Sequence, residues 1–258
     1  MSILTAPVSV DSRELEGRVA VVTGGASGMG LATVHALARR GATVAVFDLA
    51  VLGDGDLASL PADRVRPVAV DVTDGDQVDR AFASLLAEQP GLDILVNAAG
   101  VAPPTPFEFI TENEWSRVLA VNVNGTFLCC RRAVPAMRSG GWGRIVNFSS
   151  TAGKTISTAG GAHYTTAKHG VLGLTRHLAK AYGPDGVTVN AVCPGLIDTP
   201  MTRGLLPEES LEKATRSFPV PRVGQPWEVA ELVAFLASDR AAYITGAAVD
   251  INGGDLIV

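Results

Sequence analysis

A tyrosine and a lysine that could act together lie in the stretch HYTTAKHG, residues 163–170. Tyr164 and Lys168 are four residues apart, so a helix would place them on one face. The pKa of a free tyrosine is near 10, and lowering it by about 2 units requires roughly 2.7 kcal/mol. A close ammonium favours the phenolate, so the spacing indicates a tyrosine base tuned by a lysine. An exposed polar helix face would give the same pattern.

Two serines precede this stretch at the end of a predicted strand. GRIVNFSS, residues 143–150, has the composition of a buried strand, and it ends in Ser149 and Ser150. Ligands of parallel α/β sheets bind at the carboxyl ends of the strands. Either serine could therefore hold a substrate oxygen beside Tyr164.

A glycine-rich turn, TGGASGMG at residues 23–30, stands between an apolar run and a helical pattern. Gly24, Gly28 and Gly30 are placed to turn the chain tightly and to bring a helix N-terminus close to a pyrophosphate. The spacing is GxxxGxG rather than GxGxxG, and a purely structural turn is the alternative. The position directly after a strand favours a dinucleotide site.

Asp48 ends the second apolar run, ATVAVFDL at residues 42–49. A carboxylate there can accept both hydroxyls of an adenosine ribose and would repel a 2′-phosphate. No Arg or Lys follows it directly, so NAD is favoured over NADP, with a helix-capping aspartate as the alternative. Asp71, after the third run, is placed to contact adenine, and the small residues of NAAG at 97–100 allow close approach to the cofactor.

Composition excludes several other classes of protein. The 258 residues are 47% hydrophobic and 18% charged, which favours a large core over global disorder. The net charge is −5 and no Lys/Arg stripe occurs, which argues against nucleic-acid binding. We expect no signal peptide, no membrane span and no metal, and three cysteines without ligand spacing indicate reduced thiols in a cytoplasmic protein.

The order of elements predicts one doubly wound α/β domain over residues 17–258, after a flexible leader over 1–16. The apolar runs are nearly continuous, which is typical of parallel strands covered by helices on both faces. A long helix is predicted over 111–140, with Thr111 as its N-cap and Pro135 kinking or shortening its end. Segment 200–225 contains scattered prolines and is expected to cover a substrate pocket. The strands are predicted over 18–25, 42–49, 65–72, 92–100, 143–150, 187–195 and 247–254.

With these elements in this order, the chain resembles a short-chain dehydrogenase/reductase of the classical type along nearly its whole length after the leader. The motifs that carry the resemblance are TGGASGMG, NAAG, VNVNGTF, NFSS, YTTAK, NAVCPG and DINGG. The resemblance implies a Rossmann-type fold whose seven-stranded parallel sheet has the order 3-2-1-4-5-6-7. It also implies a homotetramer.

The resemblance further implies roles for individual residues. Tyr164 would be the general acid/base, Lys168 would bind the nicotinamide ribose and lower the tyrosine pKa, and Asn122 would hold a water in a proton relay. SSTAG places the family's serine at Ser150, but the interval to Tyr164 is one residue longer than usual, so Ser149 and Thr151 remain alternatives. The nucleotide would be bound by Gly24, Ser27, Gly28, Met29, Gly30, Asp48, Leu49, Asp71, Val72, Asn97, Ala98, Ala99, Gly100, Tyr164, Lys168, Pro194, Gly195, Ile197 and Thr199.

The expected activity is NAD-dependent interconversion of a small secondary alcohol and a ketone. One alternative is a 3-oxoacyl thioester reductase, a class that usually uses NADPH and is therefore disfavoured by Asp48. Another is a catalytically silent nucleotide-binding protein, and a third is an extended-type epimerase or dehydratase, which needs a larger substrate domain. The stretch 102–109 is expected to form a second wall of the pocket. His163 could touch substrate, with a solvent-facing histidine as the alternative.

Overall fold

The computed structural model describes residues 13–50, 52–53, 60–61 and 63–258. Seven parallel strands form one sheet of order β3-β2-β1-β4-β5-β6-β7, which confirms the predicted fold. Because the order reverses between β1 and β4, a crevice opens at the carboxyl ends of these strands. The strands are β1 (Val19–Thr23), β2 (Thr43–Asp48), β3 (Val65–Ala69), β4 (Ile94–Asn97), β5 (Gly143–Phe148), β6 (Val187–Pro194) and β7 (Ala248–Ile251).

Helices cover both faces of this sheet. Those of the described residues are α1 (Gly28–Arg39), α2 (Gly75–Glu88), α3 (Glu112–Leu119), α4 (Gly125–Gly140), α5 (Ala162–Tyr182), α6 (Pro200–Leu205), α7 (Glu208–Thr215) and α8 (Pro226–Leu236). Segment 200–225, with its scattered prolines, contains the short helices α6 and α7. No helix of the described ranges is both long enough and apolar enough to cross a membrane.

The core has two layers, one on each face of the sheet. Alternate residues of a strand point to opposite faces. In β1, Ala20 and Val22 pack with side chains of α1 and α8, whereas Val19 and Val21 pack with side chains of α2 and α4. This double burial explains why the central strands are continuous apolar runs in the sequence.

Strand β3 departs from that pattern because it lies at the edge of the sheet. Arg66 and Pro67 are exposed, and the strand ends at Ala69 rather than at residue 72 as predicted. Proline lacks the N–H that a central strand would use for pairing, so it is tolerated at an edge. The expectation that all strands are buried on both faces is therefore wrong for β3.

The predicted helix over 111–140 is interrupted earlier than expected. Thr111 accepts a hydrogen bond from the Glu114 amide and caps α3, as predicted. The helix continues through Pro135 to Gly140, so this proline does not shorten it. Instead, a π-helical turn at Ala120–Asn124 separates α3 from α4. The Asn122 amide donates to the Val118 carbonyl within that turn, taking a bond that the helix backbone would otherwise make.

The folded body begins before residue 17. Leu15 is buried in the core, and Glu14 forms ion pairs with Arg40 and Arg240. Residues 13–16 are therefore part of the body rather than of a flexible leader, while residues 1–12 lie outside the described residues.

The packing of α2 beneath β2 leads to a prediction for stability. Phe82 is 2% exposed and meets Phe47 edge to face, with ring centroids 5.3 Å apart. We expect Phe82→Ala to lower the free energy of unfolding by about 3–5 kcal/mol in urea denaturation, because the cavity would be closed on all sides. Phe109→Ala is the matched control, since its ring is 68% exposed. Equal losses in the two variants would contradict this description of the core.

Candidate active site

Glycines shape the turn between β1 and α1. Gly24 has φ +64°, and a Cβ atom there would lie 2.7 Å from the backbone of Ala99. A Cβ atom on Gly30 would lie 2.0 Å from the Gly24 carbonyl oxygen. A side chain at Gly24 would therefore push the turn away from the end of β4. A side chain at Gly30 would push α1 away from the turn. Their absence brings the N-terminus of α1 to the edge of the crevice, where it can face a phosphate.

A cleft of about 400 Å³ opens above this turn. Most of the predicted nucleotide-binding residues line it, namely Gly24, Ser27, Gly28, Met29, Gly30, Asp48, Leu49, Asp71, Val72, Ala98, Ala99, Gly100 and Thr199. The cleft is also lined by residues outside the predicted cofactor set, namely Phe47, Val70, Thr73, Val101, Arg117, Val121, Pro200 and Met201. Val121 belongs to VNVNG, so that motif offered a signal for it, whereas no motif marks Arg117.

Asn97 has a different position from the one predicted. Its side chain is buried, and its amide donates to Asn147 on β5 at 2.8 Å. Asn97 does not line the cleft and instead links the two strands beneath it.

Three residues of the predicted nicotinamide segment also do not line the cleft. Pro194 ends β6, a Cβ atom on Gly195 would lie 2.8 Å from Asn252, and Ile197 packs in the core. Thr199 is the member of this segment that reaches the cleft, where it lies against Gly28.

Asp48 is held at the mouth of the cleft by backbone amides. One carboxylate oxygen accepts a hydrogen bond from the Ala26 amide at 2.9 Å, and the other accepts from Ala50 at 3.0 Å. Each oxygen keeps a second lone pair that can accept from a ribose hydroxyl. Asp71 also lines the cleft, but Thr73 donates two hydrogen bonds to its Oδ1. Its other oxygen is the one left to meet a ligand.

Ser150, rather than Ser149, faces the tyrosine. The Ser149 hydroxyl donates to the Lys168 carbonyl oxygen at 2.9 Å and is buried. The Ser150 hydroxyl accepts from the Ala152 amide at 3.1 Å, and it lies close enough to Tyr164 to oppose the rise in the pKa of that phenol. The arrangement therefore favours Ser150 among the three candidates, as the motif SSTAG indicated.

Lys168 lies beneath the tyrosine ring and is 5% exposed. Its Nζ donates to the Phe148 carbonyl oxygen at 2.8 Å and stands 5.5 Å from the centroid of the Tyr164 ring. Burial lowers the pKa of the Lys168 ammonium to about 8. This lysine can thus change its charge near neutral pH, unlike a lysine on the surface.

The expected lowering of the tyrosine pKa by Lys168 is not found among the protein's own groups. Burial raises the pKa of Tyr164, and the neighbouring Ser150 side chain opposes that rise only in part. The attraction of a cation is thus outweighed by the cost of burying the phenolate.

Asn122 lies at the floor of the site. Its amide donates to the carbonyl oxygens of Val101 and Val118, each at 2.9 Å, and its Oδ1 is buried with no donor among the described residues. A Cβ atom on Gly100 would lie 2.8 Å from that oxygen and 3.6 Å from the Lys168 Nζ. The glycine thus leaves space where Asn122 and Lys168 approach each other.

His163 corresponds to neither of the two sequence interpretations. It is 0% exposed, so it does not face solvent, and its ring is held by protein groups on both sides. Nδ1 accepts from the Tyr164 amide at 2.8 Å, and Nε2 lies 2.7 Å from Oε1 of Glu114.

The thiols and the acidic residues show no second reactive centre. Cys129, Cys130 and Cys193 are buried and unpaired, and burial raises the pKa of each, which makes them poor nucleophiles. Within the described ranges, no group of three His, Cys, Asp or Glu side chains could hold a metal ion.

Comparison with known proteins identifies the class. A family model described as Enoyl-(Acyl carrier protein) reductase matches residues 24–255. Together with the similar proteins below, this match shows that the chain belongs to the short-chain dehydrogenase/reductase family and is an oxidoreductase.

Individual relatives cover nearly the whole chain. The cis-4-hydroxycyclohexanecarboxylate dehydrogenase of Sinomonas cyclohexanicum is 43% identical over 241 residues, which are 92% of this chain and 96% of the relative. A 3-oxoacyl-(acyl-carrier-protein) reductase of Thermotoga maritima is 38% identical over 247 residues, 94% of this chain and 99% of the relative. The crystal structure of gox2181 has a TM-score of 0.89 at 36% identity and covers 94% of this chain and 98% of that one.

Proposed function

We propose that the protein interconverts a secondary alcohol and a ketone by hydride transfer to and from NAD(H), with Tyr164 as the general acid/base. One observation carries the proposal. The side chains of Ser150 and Tyr164 are neighbours at the carboxyl ends of the strands. The glycine-lined cleft, with Asp48 at its mouth, opens at the same end of the sheet. Hydride transfer to or from an alcohol carbon requires a proton-transfer pair and a nucleotide cleft at the same end of the sheet.

The residues present fit a dinucleotide. Gly24 and Gly30 allow the backbone to approach a pyrophosphate, and the Asp48 carboxylate has lone pairs free for a ribose. The Lys168 ammonium would bind the second ribose from below. Gly24, Gly30 and Asp48 line one cleft, whereas Lys168 is not among its lining residues and lies beneath the Tyr164 ring.

Each proton-handling step has a group in place on this chain. When bound, an oxidised nicotinamide nucleotide supplies the hydride acceptor and a positive charge that favours the phenolate. Ser150 orients the alcohol oxygen and stabilises its developing charge, while Tyr164 removes the hydroxyl proton. Lys168 and Asn122 then return that proton towards solvent.

The preference for NAD can be tested at Asp48. We expect Asp48→Ser to lower the ratio of kcat/KM for NADH over NADPH by at least about tenfold, because the change removes both the ribose acceptor and the charge that repels a 2′-phosphate. Steady-state kinetics with both nucleotides measure this ratio. Asp255→Ser, at an exposed position near the C-terminus, serves as the matched control. An unchanged ratio in Asp48→Ser would exclude this carboxylate as the selector.

Exposed apolar side chains near the site support an apolar, cyclic substrate. Phe107 and Phe109 are 75% and 68% exposed on the stretch 102–109, and Ile156 is 70% exposed between Ser150 and Tyr164. Large apolar groups exposed beside a polar site are typical of ligand contacts. The name of the Sinomonas relative, a cis-4-hydroxycyclohexanecarboxylate dehydrogenase, favours a cyclic substrate whose ring also carries a carboxylate.

A second candidate is reduction of a 3-oxoacyl thioester. It is supported by the description of the matching family model and by the name of the Thermotoga relative. The two candidates differ in substrate and in the expected nucleotide, so a screen of both substrate classes with NAD(H) and NADP(H) separates them. A chain with no turnover on either class would instead be a silent nucleotide-binding protein.

We also propose that the protein is a cytoplasmic homotetramer that acts on small molecules and binds neither nucleic acid nor membranes. These proposals rest on the family resemblance and the acidic net charge of −5. Light scattering coupled to gel filtration should give about four times the chain mass of 26.7 kDa.

A further inference from the structure

A buried histidine joins the catalytic helix to the wall of the pocket. His163 lies in the first turn of α5, immediately before Tyr164, and is 0% exposed. Its Nδ1 accepts the Tyr164 N–H, so the ring proton must lie on Nε2, which donates to Glu114 at 2.7 Å. One imidazole tautomer therefore bonds to the tyrosine backbone and to α3 at the same time.

Glu114 extends this connection to the stretch 102–109. Oε1 of Glu114 lies 2.7 Å from Nε2 of His163, and His163 and the nearby Thr105 side chain both lower the pKa of the Glu114 carboxyl. The same stretch is joined to the start of α5 by a second bond, from the Gly161 amide to the Pro103 carbonyl oxygen at 2.9 Å. Hydrogen bonds thus join Glu114 through His163 to the backbone of Tyr164, and Thr105 lies beside Glu114 at the outer end of this series.

The packing around His163 leaves little room for another orientation of its ring. A Cβ atom on Gly161 would lie 2.8 Å from both the His163 ring and the Thr105 carbonyl oxygen. Gly161, the N-cap of α5, has no side chain to cap the first turn, and the Tyr164 amide donates both to the Gly161 carbonyl oxygen at 3.0 Å and to the His163 imidazole at 2.8 Å. The first turn of α5, the His163 imidazole and the stretch 102–109 therefore fix one another's positions.

We propose that His163, through Glu114, is a positioning residue that fixes the stretch 102–109 relative to the Tyr164 hydroxyl. One bond of the imidazole sets the start of α5 and hence the phenol, and the other sets the wall against which substrate lies. The kinetic part of this proposal rests on the proposed function of Tyr164. The structural part, the anchoring of 102–109, does not.

Two substitutions separate the two bonds of the imidazole. In His163→Asn, the amide oxygen can replace Nδ1 at the Tyr164 N–H, but the side chain is too short to reach Glu114. In His163→Gln, the amide nitrogen can replace Nε2 at Glu114, but the bond to Tyr164 is lost. His169→Asn and His169→Gln are matched controls, since His169 is exposed on the same helix.

We expect opposite effects on the two kinetic constants. His163→Asn should raise KM for the alcohol by about tenfold with kcat nearly unchanged, since the wall is released, whereas His163→Gln should lower kcat by about tenfold with KM nearly unchanged. KM for NAD⁺ should stay the same in both. Parallel losses in kcat and KM in both variants, or no change in either, would overturn the positioning role.

Hydrogen exchange gives a readout that does not depend on turnover. The amides of 102–109 should exchange faster in His163→Asn than in the native protein, and at the native rate in His163→Gln. If neither histidine variant folds, Thr105→Val breaks the same connection at its outer end and should raise the same exchange rates. Native exchange in Thr105→Val and in His163→Asn would refute the anchoring even if the protein proves to be an alcohol dehydrogenase. Lack of turnover in the native protein, with faster exchange in His163→Asn, would refute only the proposed function.

Discussion

Replacing Tyr164 with phenylalanine is expected to lower kcat at least about 10³-fold, because no other hydroxyl is placed to take the proton that leaves the alcohol oxygen. Ser150 cannot substitute, since its hydroxyl has a far higher pKa and is engaged with the turn that follows it. The ring itself would remain, so the packing of α5 and the nucleotide cleft should be preserved. NADH affinity, measured by fluorescence titration, should therefore change less than about threefold.

Tyr182→Phe is the control for this experiment, since Tyr182 ends the same helix outside the cleft. It should retain native kcat. Turnover in Tyr164→Phe within tenfold of the native rate would exclude the phenol as the acid/base, whatever its neighbours.

Replacing Lys168 with methionine is expected to abolish turnover while raising stability at neutral pH. Burial lowers the pKa of Lys168 from 10.5 to about 8, so the folded protein disfavours the ammonium relative to the unfolded chain. Below pH 8 this difference costs on the order of 3 kcal/mol of folding free energy, and the cost disappears as pH rises towards 10.5. Methionine carries no charge and so avoids this cost at every pH.

The pH dependence distinguishes this effect from ordinary changes in packing. The free energy of unfolding of Lys168→Met, minus that of the native protein, should be largest at pH 7 and should fall by pH 10. Loss of the bond to the Phe148 carbonyl lowers the variant's stability at all pH values alike and does not alter the trend. Urea unfolding at both pH values measures the difference, with Lys180→Met, at an exposed site on the same helix, as control. A difference that is constant with pH would show that burial does not perturb this amine.

Much of the fold could be predicted because its causes are local in the sequence. Runs such as VAVVT identify β1 because a strand covered on both faces must be apolar throughout. Thr111 could be predicted as an N-cap because its hydroxyl serves an amide only three residues away. The glycines of the cofactor turn are similarly marked, since the close approach to Ala99 excludes any side chain at Gly24.

The remaining features depend on contacts between distant residues. Nothing in the sequence near His163 indicates that Glu114, 49 residues earlier, would reach its ring. The NAAG motif predicts Asn97 as a cofactor contact because its small residues allow close approach, but the Asn97 amide donates to Asn147 on β5, 50 residues away. The pKa of Tyr164 also could not be predicted, because burial of the phenol and of Lys168 is set by the whole assembly of helices around them.

Oxidation of secondary alcohols with NAD⁺ is the activity that we propose, and initial rates of nicotinamide reduction and oxidation decide whether the protein has it. The assay pairs cis-4-hydroxycyclohexanecarboxylate and other cyclic alcohols with NAD⁺, and an acetoacetyl thioester with NADPH. We predict turnover of a cyclic alcohol with NAD⁺ that is lost in Tyr164→Phe. Turnover of the thioester with NADPH alone would contradict the proposed activity, and so would alcohol oxidation that persists without the Tyr164 hydroxyl.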